Sequence, residues 1–189
     1  LGNLYRDVLT NAKAAVDCYE AAFKADGSHP EALDSLAPLF MATNRWGELI
    51  EAYDTGAKAS KGFRRGELLS LAADLMHERL GDTTGAEAHY REALAHSPVH
   101  LPALRGLARQ LLARGAAAVG AERALAAETT QVLQVVAQNS PDPTDQAQAL
   151  QHSGDVFRDA LGLYPQARQC YELALKRAPL APDPLASLA

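Results

Sequence analysis

The chain has 189 residues, a hydrophobic share of 48% and a formal net charge of −5. Clustered Lys and Arg supply most of the affinity of proteins for nucleic acid, so this acidic balance argues against a nucleic-acid partner. No apolar run approaches the roughly 20 residues of a membrane span, which argues against direct membrane insertion.

Helices are predicted along the whole chain. Apolar residues recur at spacings of three and four, and no segment alternates as a strand would. Gly and Pro mark the breaks, because Gly accepts a left-handed cap and Pro cannot continue the helical hydrogen bonds. Asp82, Thr83 and Thr144 are predicted N-caps. The predicted helices span 1–10, 12–25, 30–43, 46–59, 65–80, 83–95, 100–114, 117–138, 144–161, 165–177 and 183–189.

Two short patterns recur among these helices, which are therefore predicted to form antiparallel pairs in an array. The first is an Ala, Tyr, Ala series, found at Ala15, Tyr19 and Ala22, at Ala86, Tyr90 and Ala93, and at Ala167, Tyr171 and Ala174. The second is the stretch 32–37, which returns as 103–108. In such an array each repeat buries its apolar face only against its neighbours.

The spacing of the repeats changes near the end of the chain. Equivalent positions at Ala15, Leu49, Ala86, Gly120 and Ala167 lie 34, 37, 34 and 47 residues apart. The last step is ten residues longer than the longest of the others, which is nearly three helical turns. We therefore expect an insertion near 125–146, in which Leu125–Ala137 prolongs a helix or helix pair and Gln138–Gln146 forms a polar, Pro-containing link.

These patterns resemble the tetratricopeptide repeat (TPR), a helix pair of 34 residues. Leu1-Gly2-Asn3-Leu4-Tyr5 matches the opening of its first helix, and four further hairpins carry its small and aromatic positions. The resemblance implies an all-α fold, a right-handed α-solenoid of antiparallel helix hairpins forming a superhelix. The hairpins are predicted over 1–27, 28–61, 62–98, 99–140 and 141–179, with the start of a sixth over 180–189. Because both end copies are incomplete, we expect a fragment of a longer protein.

The chain also departs from the TPR pattern. Its first hairpin has some character of Sel-like repeats. In the odd hairpins the two small positions lie 13 residues apart, as from Ala73 to Ala86, whereas Ala37 to Leu49 spans 12. The extra residue predicts a different turn in alternate hairpins. Gly120 and Ala124 replace the usual Ala and aromatic residue, so the fourth hairpin is predicted to pack more loosely.

Candidate partner-binding residues follow from the resemblance. In TPR proteins, peptides lie along the concave face lined by the first helix of each hairpin. Carried over by position, the candidates are Asp34 and Met41 in the second hairpin and Arg105, Arg109 and Leu112 in the fourth. Arg105 and Arg109 are four residues apart and share a helix face, where they could grip a carboxylate. The alternative is that both are solvated surface charges.

Other chemical side chains are predicted to be structural. Trp46 is expected to pack at a turn, and Lys58, Lys61, Arg64 and Arg65 are expected to form a solvated loop. Cys18 and Cys170 are predicted to be free thiols. No metal-ligand spacing, nucleophilic triad or phosphate loop is present in the sequence. We therefore predict no metal, no cofactor and no enzymatic activity.

The sequence as a whole predicts a cytoplasmic scaffold that binds a peptide or a partner subunit. Two alternatives stay open. The chain could be the regulatory or substrate-docking arm of a larger enzyme whose catalytic domain lies outside it. It could also self-associate, because the open end of an array exposes an apolar face.

Overall fold

The structure is a computed structural model that describes residues 2, 12–25, 30–117 and 123–178. All regular structure in these ranges is helical. The helices are α1 (Ala12–Ala25), α2 (Pro30–Ala42), α3 (Trp46–Ala59), α4 (Gly62–Leu75), α5 (Thr83–His96), α6 (Leu101–Ala117), α7 (Arg123–Asn139), α8 (Pro143–Asp159) and α9 (Tyr164–Arg177). A π-helical turn, Met76–Leu80, continues α4. The predicted helices over 1–10 and 183–189 lie outside the described residues, except for Gly2, which is helical.

The chain divides into two compact units, Leu1–His100 and Leu101–Ala189. In the first unit, each helix from α1 to α5 packs against the next helix along the chain. In the second unit, α6 packs against α7, α7 against α8 and α8 against α9. Short connections between packed neighbours make these helix hairpins. Within the described ranges, no helix is long and apolar enough to cross a membrane.

The Ala and Tyr positions of the repeat form the core of the odd hairpins. Tyr90 and Tyr171 are fully buried, and Ala86 and Ala167 beside them are fully buried too. The equivalent Ala15 and Tyr19 are also buried, whereas Ala22 at the end of the first series is exposed. The small residues allow two helices to approach closely, and the tyrosine rings fill the space between them.

A glycine makes the closest of these approaches possible. A Cβ atom on Gly154 would lie 2.5 Å from the ring of Tyr171, and one on Gly2 would lie 2.5 Å from the ring of Tyr19. Real Cβ atoms do not come so close to other atoms, so neither position accepts a side chain without a shift of the ring. Ala73 takes the corresponding place in the third hairpin.

The third and fifth hairpins turn differently from the second, as their spacing predicts, whereas the turns of the first and fourth hairpins lie outside the described residues. In the third hairpin the backbone N–H of Asp82 donates to the carbonyl of Met76, six residues back, over 2.9 Å. Leu163 and Phe157 make the same bond in the fifth hairpin, over 2.8 Å. In the second hairpin the N–H of Arg45 bonds five residues back. The extra residue therefore widens the turn that ends the first helix.

A left-handed glycine completes both wide turns. Gly81 has a φ of 67° and Gly162 a φ of 66°. Residues with a Cβ atom rarely adopt this conformation, which explains why glycine stands at both positions. In the second hairpin Asn44 takes this role with a φ of 55°, and Asn tolerates the left-handed region better than most residues.

The extra length in the second unit is spread over three helices. Helices α6, α7 and α8 have 17 residues each, whereas α9 has 14. The predicted link over Gln138–Gln146 is polar and contains proline, but its bounds are wrong, because only residues 140–142 separate α7 from α8. Asp142 accepts a bond from the N–H of Thr144 and begins α8 early, with Pro143 in its first turn. Gly115, predicted as a break, lies inside α6.

Of the three predicted N-caps, only Asp82 is confirmed. Asp82 is the N-cap of α5, and its carboxylate accepts a bond of 2.8 Å from the N–H of Gly85. Thr83 is not a cap, because it is the first residue of the helix. Thr144 is not a cap either, since Asp142 begins α8. Asp at this position is favoured because its carboxylate satisfies an otherwise unpaired backbone N–H.

The predicted solvated loop of basic residues is also wrong. Lys58 lies in α3, and Arg64 and Arg65 lie in the first turns of α4, which begins three residues earlier than predicted. Arg64 pairs with Asp34 over 3.0 Å and with Glu67 over 2.9 Å. Arg65 pairs with Glu92 over 2.8 Å. Arg64 therefore links α4 to α2, and Arg65 links α4 to α5, through partners that lie far away in the sequence.

Candidate functional site

Helix α6 carries three of the predicted site residues on one face. Arg105, Arg109 and Leu112 follow at spacings of four and three, which places them above one another along a helix. Both arginines are exposed, and Leu112 is half-buried. The prediction that Arg105 and Arg109 share a face is therefore confirmed, and the face ends at a residue with apolar surroundings.

Arg105 has a partner within its own unit. Its Nε and Nη2 atoms both donate to one carboxylate oxygen of Asp145, over 3.1 and 2.6 Å, and Nη2 lies 3.4 Å from the hydroxyl of Ser140. Burial alone would raise the pKa of Asp145, but the hydrogen bonds from Arg105 and Ser140 lower it overall. The arginine side chain remains 46% exposed, so a partner carboxylate could share it with Asp145.

A cleft of about 220 Å³ lies beside Leu112, between α6, α7 and α8. Most of its walls are apolar, and two carboxylates, Asp155 and Asp159, also line it. The remaining lining residues are Leu111, Gly115, Leu125, Ala126, Thr129, Val156 and Ala160. The cleft adjoins the fourth hairpin. The loose packing predicted for that hairpin stays a prediction, because Gly120 lies outside the described residues and Ala124 is exposed. The size of the cleft fits a single apolar side chain, because cavities of about 150 Å³ accept a benzene ring.

The two carboxylates are held in a small polar network. The phenol of Tyr171 donates to Asp155 over 2.8 Å, and Arg158 lies 3.6 Å from the same oxygen. Arg158 also bonds to both carboxylate oxygens of Asp159, over 2.7 and 3.0 Å, which lowers the pKa of Asp159. Burial, followed by the bond to Asp155, raises the pKa of Tyr171 well above its usual range. These hydrogen bonds and ion pairs hold the carboxylates of Asp155 and Asp159 in place on the α8 side of the cleft.

This network was not predicted from the sequence, where Tyr171 is identified only as a member of the recurring Ala, Tyr, Ala series. A signal was present. Tyr90 and Tyr171 lie 81 residues apart, and so do Asp74 and Asp155. The phenol of Tyr90 donates to Asp74 over 2.5 Å, as Tyr171 does to Asp155. An acid that recurs with the tyrosine at a fixed offset predicts a hydrogen-bonded pair.

The other predicted site residues lie in the first unit. Asp34 and Met41 are seven residues apart on α2, which is about two turns, so they share a face. Asp34 accepts a bond of 3.0 Å from Arg64, and the Met41 side chain is exposed. The five candidates therefore form two groups, one in each unit.

The remaining reactive side chains have structural surroundings. Cys18 and Cys170 are free thiols, and burial raises the pKa of Cys170. Trp46 begins α3, where the guanidinium of Arg79 lies 4.8 Å from the centre of its ring. Over the ranges that the structure describes, no group of three or more His, Cys, Asp or Glu side chains could hold a metal ion.

Comparison with known proteins rests on structure. No family model matches the chain. No curated protein sequence matches it either. YrrB, a TPR protein with an unusual peptide-binding site, matches 99% of this chain and 88% of its own, with a TM-score of 0.62 and 15% identity. The chain has the TPR fold. This confirms the predicted all-α array of helix hairpins.

Two further solved structures agree with the TPR fold. MamA matches 94% of this chain and 94% of its own length, with a TM-score of 0.60 and 16% identity. The C-terminal part of a TPR repeat-containing protein from Cytophaga hutchinsonii matches 93% of this chain and 62% of its own length, with a TM-score of 0.54 and 14% identity. When the hairpins of this chain are numbered as in the TPR pattern, their first helices are α2, α4, α6 and α8. Both groups of candidate residues therefore lie on first helices.

Proposed function

We propose that the chain is a protein interaction scaffold that binds an extended peptide or a partner subunit along the faces of its first helices. The cleft beside Leu112 is the observation that carries this proposal. It offers an apolar space of about 220 Å³ next to a helix face with two exposed arginines. An apolar anchor flanked by charged contacts is a common arrangement in peptide recognition.

The chemistry of this face favours a peptide with an apolar side chain and an acidic group. The apolar side chain would enter the cleft. The acidic group would lie one to two helical turns away, beside Arg109 and the exposed part of Arg105. Guanidinium groups bind carboxylates through paired hydrogen bonds, which fixes the direction of the peptide as well as adding affinity. Within the first unit, Asp34 and Met41 are the candidate contacts for a partner.

Two general features support a protein partner in the cytoplasm. The net charge of −5 disfavours nucleic acid, whose binding needs clustered positive charge. The free thiols Cys18 and Cys170 are compatible with a reducing compartment. YrrB, which has the same fold, has a peptide-binding site, and this supports a peptide as the class of partner. The same face would serve if the chain were the docking arm of a larger enzyme.

Affinity capture with two charge-reversal variants tests the proposal. The immobilised wild-type chain is compared with Arg105→Glu/Arg109→Glu and with a matched control, Arg123→Glu/Arg168→Glu, which reverses two exposed arginines on second helices. Captured proteins are identified by mass spectrometry, and the binding segment is titrated by calorimetry. We expect the partner to be lost from the first variant and kept by the control. Equal capture by both variants would contradict the proposal.

A milder variant excludes an effect of misfolding. Glu at position 105 would face Asp145 and could destabilise the second unit through repulsion of like charges. Arg105→Gln/Arg109→Gln removes the charges without adding negative ones. Its thermal unfolding, followed by circular dichroism, is expected to stay close to that of the wild type, while the affinity for the partner segment falls at least about tenfold.

A further inference from the structure

Glutamine is distributed unevenly along this chain. No glutamine occurs in the first 100 residues, and the remaining 89 contain nine. Five of the nine line one cleft between α7, α8 and α9, which we name the glutamine cleft. These five are Gln134, Gln138, Gln146, Gln166 and Gln169. The cleft has a volume of about 590 Å³, which lies within the range of about 300–1,000 Å³ that is usual for ligand sites.

The glutamine cleft uses a different face of α8 from the cleft beside Leu112. Gln146, Leu150 and Phe157 line it, at spacings of four and seven that keep one face of a helix. The smaller cleft is lined instead by Val156 and Asp159 and their neighbours on α8. The two clefts are therefore separate surfaces of the second unit.

The corresponding place in the third hairpin carries a charged pair instead of an amide and an apolar side chain. Gln146 and Leu173 lie 81 residues after Arg65 and Glu92, which is the offset that relates the third and fifth hairpins. Arg65 and Glu92 form an ion pair of 2.8 Å between α4 and α5. In the fifth hairpin an amide and an apolar side chain replace the two charges, and Leu173 is 45% exposed.

Most of the side-chain amides in the glutamine cleft form no hydrogen bond with another described residue. Gln146 donates to the carbonyl of Ser140 over 2.6 Å. Gln134, Gln138, Gln166 and Gln169 are exposed and form no side-chain hydrogen bond with another described residue. A glutamine amide offers N–H donors and a carbonyl acceptor, which are the groups that a peptide bond also presents. Several such amides around one cleft can satisfy the backbone of an extended chain.

The single positive charge in the lining of the glutamine cleft favours a ligand with one carboxylate. Arg177 is the only charged residue of its lining, and it forms no ion pair with any residue in the described ranges. The rest of the lining is neutral, with apolar side chains such as Leu150, Phe157 and Leu173 among the amides. A strongly charged segment would find no further counter-ions there, whereas a single acidic group would be paired by Arg177.

We propose that the glutamine cleft binds an extended peptide segment of a partner protein, with low net charge and one acidic side chain placed at Arg177. Its backbone would exchange hydrogen bonds with the glutamine amides, and alternate side chains would contact the apolar walls. This is an interaction surface additional to the first-helix face, and it does not depend on the function proposed for that face.

Selection from a phage-displayed library of random dodecapeptides tests this proposal. The wild-type chain is the target, and Gln138→Ala/Gln169→Ala is the counter-selection target. Enriched peptides are synthesised and titrated by fluorescence anisotropy. We expect them to share one acidic residue and to bind the double variant about tenfold more weakly, since two hydrogen bonds are lost. Arg177→Ala should also lower the affinity of these peptides, but only if the peptide contains the acidic residue.

Two controls separate the proposed contacts from general effects. Gln131→Ala/Gln148→Ala removes two exposed glutamines that lie outside the cleft and is expected to leave the affinity unchanged. Methylation of the central backbone nitrogens of the selected peptide removes its N–H donors and is expected to weaken binding about tenfold. A peptide that kept its affinity after methylation would overturn recognition of the backbone by the amides.

The remaining outcomes also decide the question. Failure to enrich any peptide over the counter-selection would overturn the proposal, as would equal affinity for the wild type and Gln138→Ala/Gln169→Ala. Peptides that lose affinity only in Arg105→Gln/Arg109→Gln would belong to the face of α6, which would support that site and overturn the glutamine cleft. Self-association that disappears in Gln138→Ala/Gln169→Ala would show that the occupant is a second copy of this chain and would overturn a partner protein as the occupant.

Discussion

Tyr171 on α9 donates a hydrogen bond of 2.8 Å from its phenol to the carboxylate of Asp155 on α8. The bond joins the two helices of the fifth hairpin at a residue that also lines the cleft beside Leu112. Tyr90 and Asp74 form the equivalent pair in the third hairpin. The repeated tyrosine therefore has a polar role in addition to filling space, and it connects the packing of the hairpin to the shape of the candidate site.

Removal of the phenol oxygen should destabilise the second unit. Tyr171→Phe leaves the ring in place and deletes the bond to Asp155, which costs about 1.5–3 kcal/mol for a bond to a charged acceptor. Urea unfolding measures the change in the free energy of unfolding. Tyr164→Phe is the matched control, because the Tyr164 side chain is 64% exposed. Equal effects of the two substitutions would show that the bond to Asp155 contributes nothing.

A methyl group at Gly154 should destabilise the fifth hairpin. Its Cβ atom would lie 2.5 Å from the buried ring of Tyr171, and overpacking of this kind costs about 1–3 kcal/mol. The better helix propensity of Ala would recover at most about 1 kcal/mol. Gly47→Ala is the control, since no atom lies within 4 Å of the new Cβ there. We expect a lower melting temperature for Gly154→Ala and an unchanged or higher one for Gly47→Ala.

His89 should make the stability of the first unit depend on pH. Its Nε2 lies 3.1 Å from Asp54 on α3, and its Nδ1 lies 2.9 Å from the carbonyl of Gly85. The bond to Asp54 is the largest cause of a raised pKa for His89, although burial opposes it. Because both ring nitrogens donate only in the imidazolium, the stabilisation is complete below the unfolded pKa of about 6.5. It is lost as the pH rises through the pKa of the folded protein.

Comparison with Asp54→Asn isolates this effect. His100 in the same unit has a pKa that burial lowers, so its contribution runs in the opposite direction and is lost as the pH falls. The difference in unfolding free energy between the wild type and Asp54→Asn cancels the His100 contribution. We expect this difference to be larger at pH 5.5 than at pH 8.5. A difference that does not change with pH would show that His89 is not charged in the folded protein.

Removal of the charge on Asp145 should strengthen binding of an acidic partner segment at α6. Asp145 accepts two hydrogen bonds from Arg105 and competes with any carboxylate of the partner. Asp145→Asn releases the guanidinium and removes a repulsive charge, so we expect the affinity to rise several-fold. Asp17→Asn, which removes one exposed carboxylate from α1, serves as the control. An affinity unchanged by Asp145→Asn would mean that Arg105 does not contact the partner.

The fold could be predicted from the sequence because its signals are local. Spacing of Ala and Tyr residues identifies which side chains enter the core, and Gly and Pro identify most helix ends. The predicted helix starts were wrong where a residue just before the predicted start could begin the helix instead. Asp142 caps α8 before Thr144 can, and α4 begins at Gly62, three residues before the predicted start at Arg65.

The candidate site could be predicted only in part. Positions on one helix face, such as Arg105 and Arg109, follow from the helical period. The partners of these residues do not, because Asp145 lies 40 residues from Arg105 and Arg64 lies 30 residues from Asp34. Both clefts depend on how three helices pack together, which no local pattern contains. The hydrogen-bonded pairs of tyrosine and aspartate were not predicted, although a signal for them exists. Both residues of the pair recur 81 residues later in the sequence.

Site-specific photo-crosslinking tests the central claim most directly. A benzophenone amino acid is placed at Ala113, an exposed residue next to Leu112 on α6, or at Glu51, an exposed residue on the second helix α3. Irradiation in cells is followed by mass spectrometry of the crosslinked peptides. A scaffold that binds along its first helices should crosslink a partner segment from position 113 and not from position 51. Crosslinks from position 51 alone, or equally from both positions, would contradict this account.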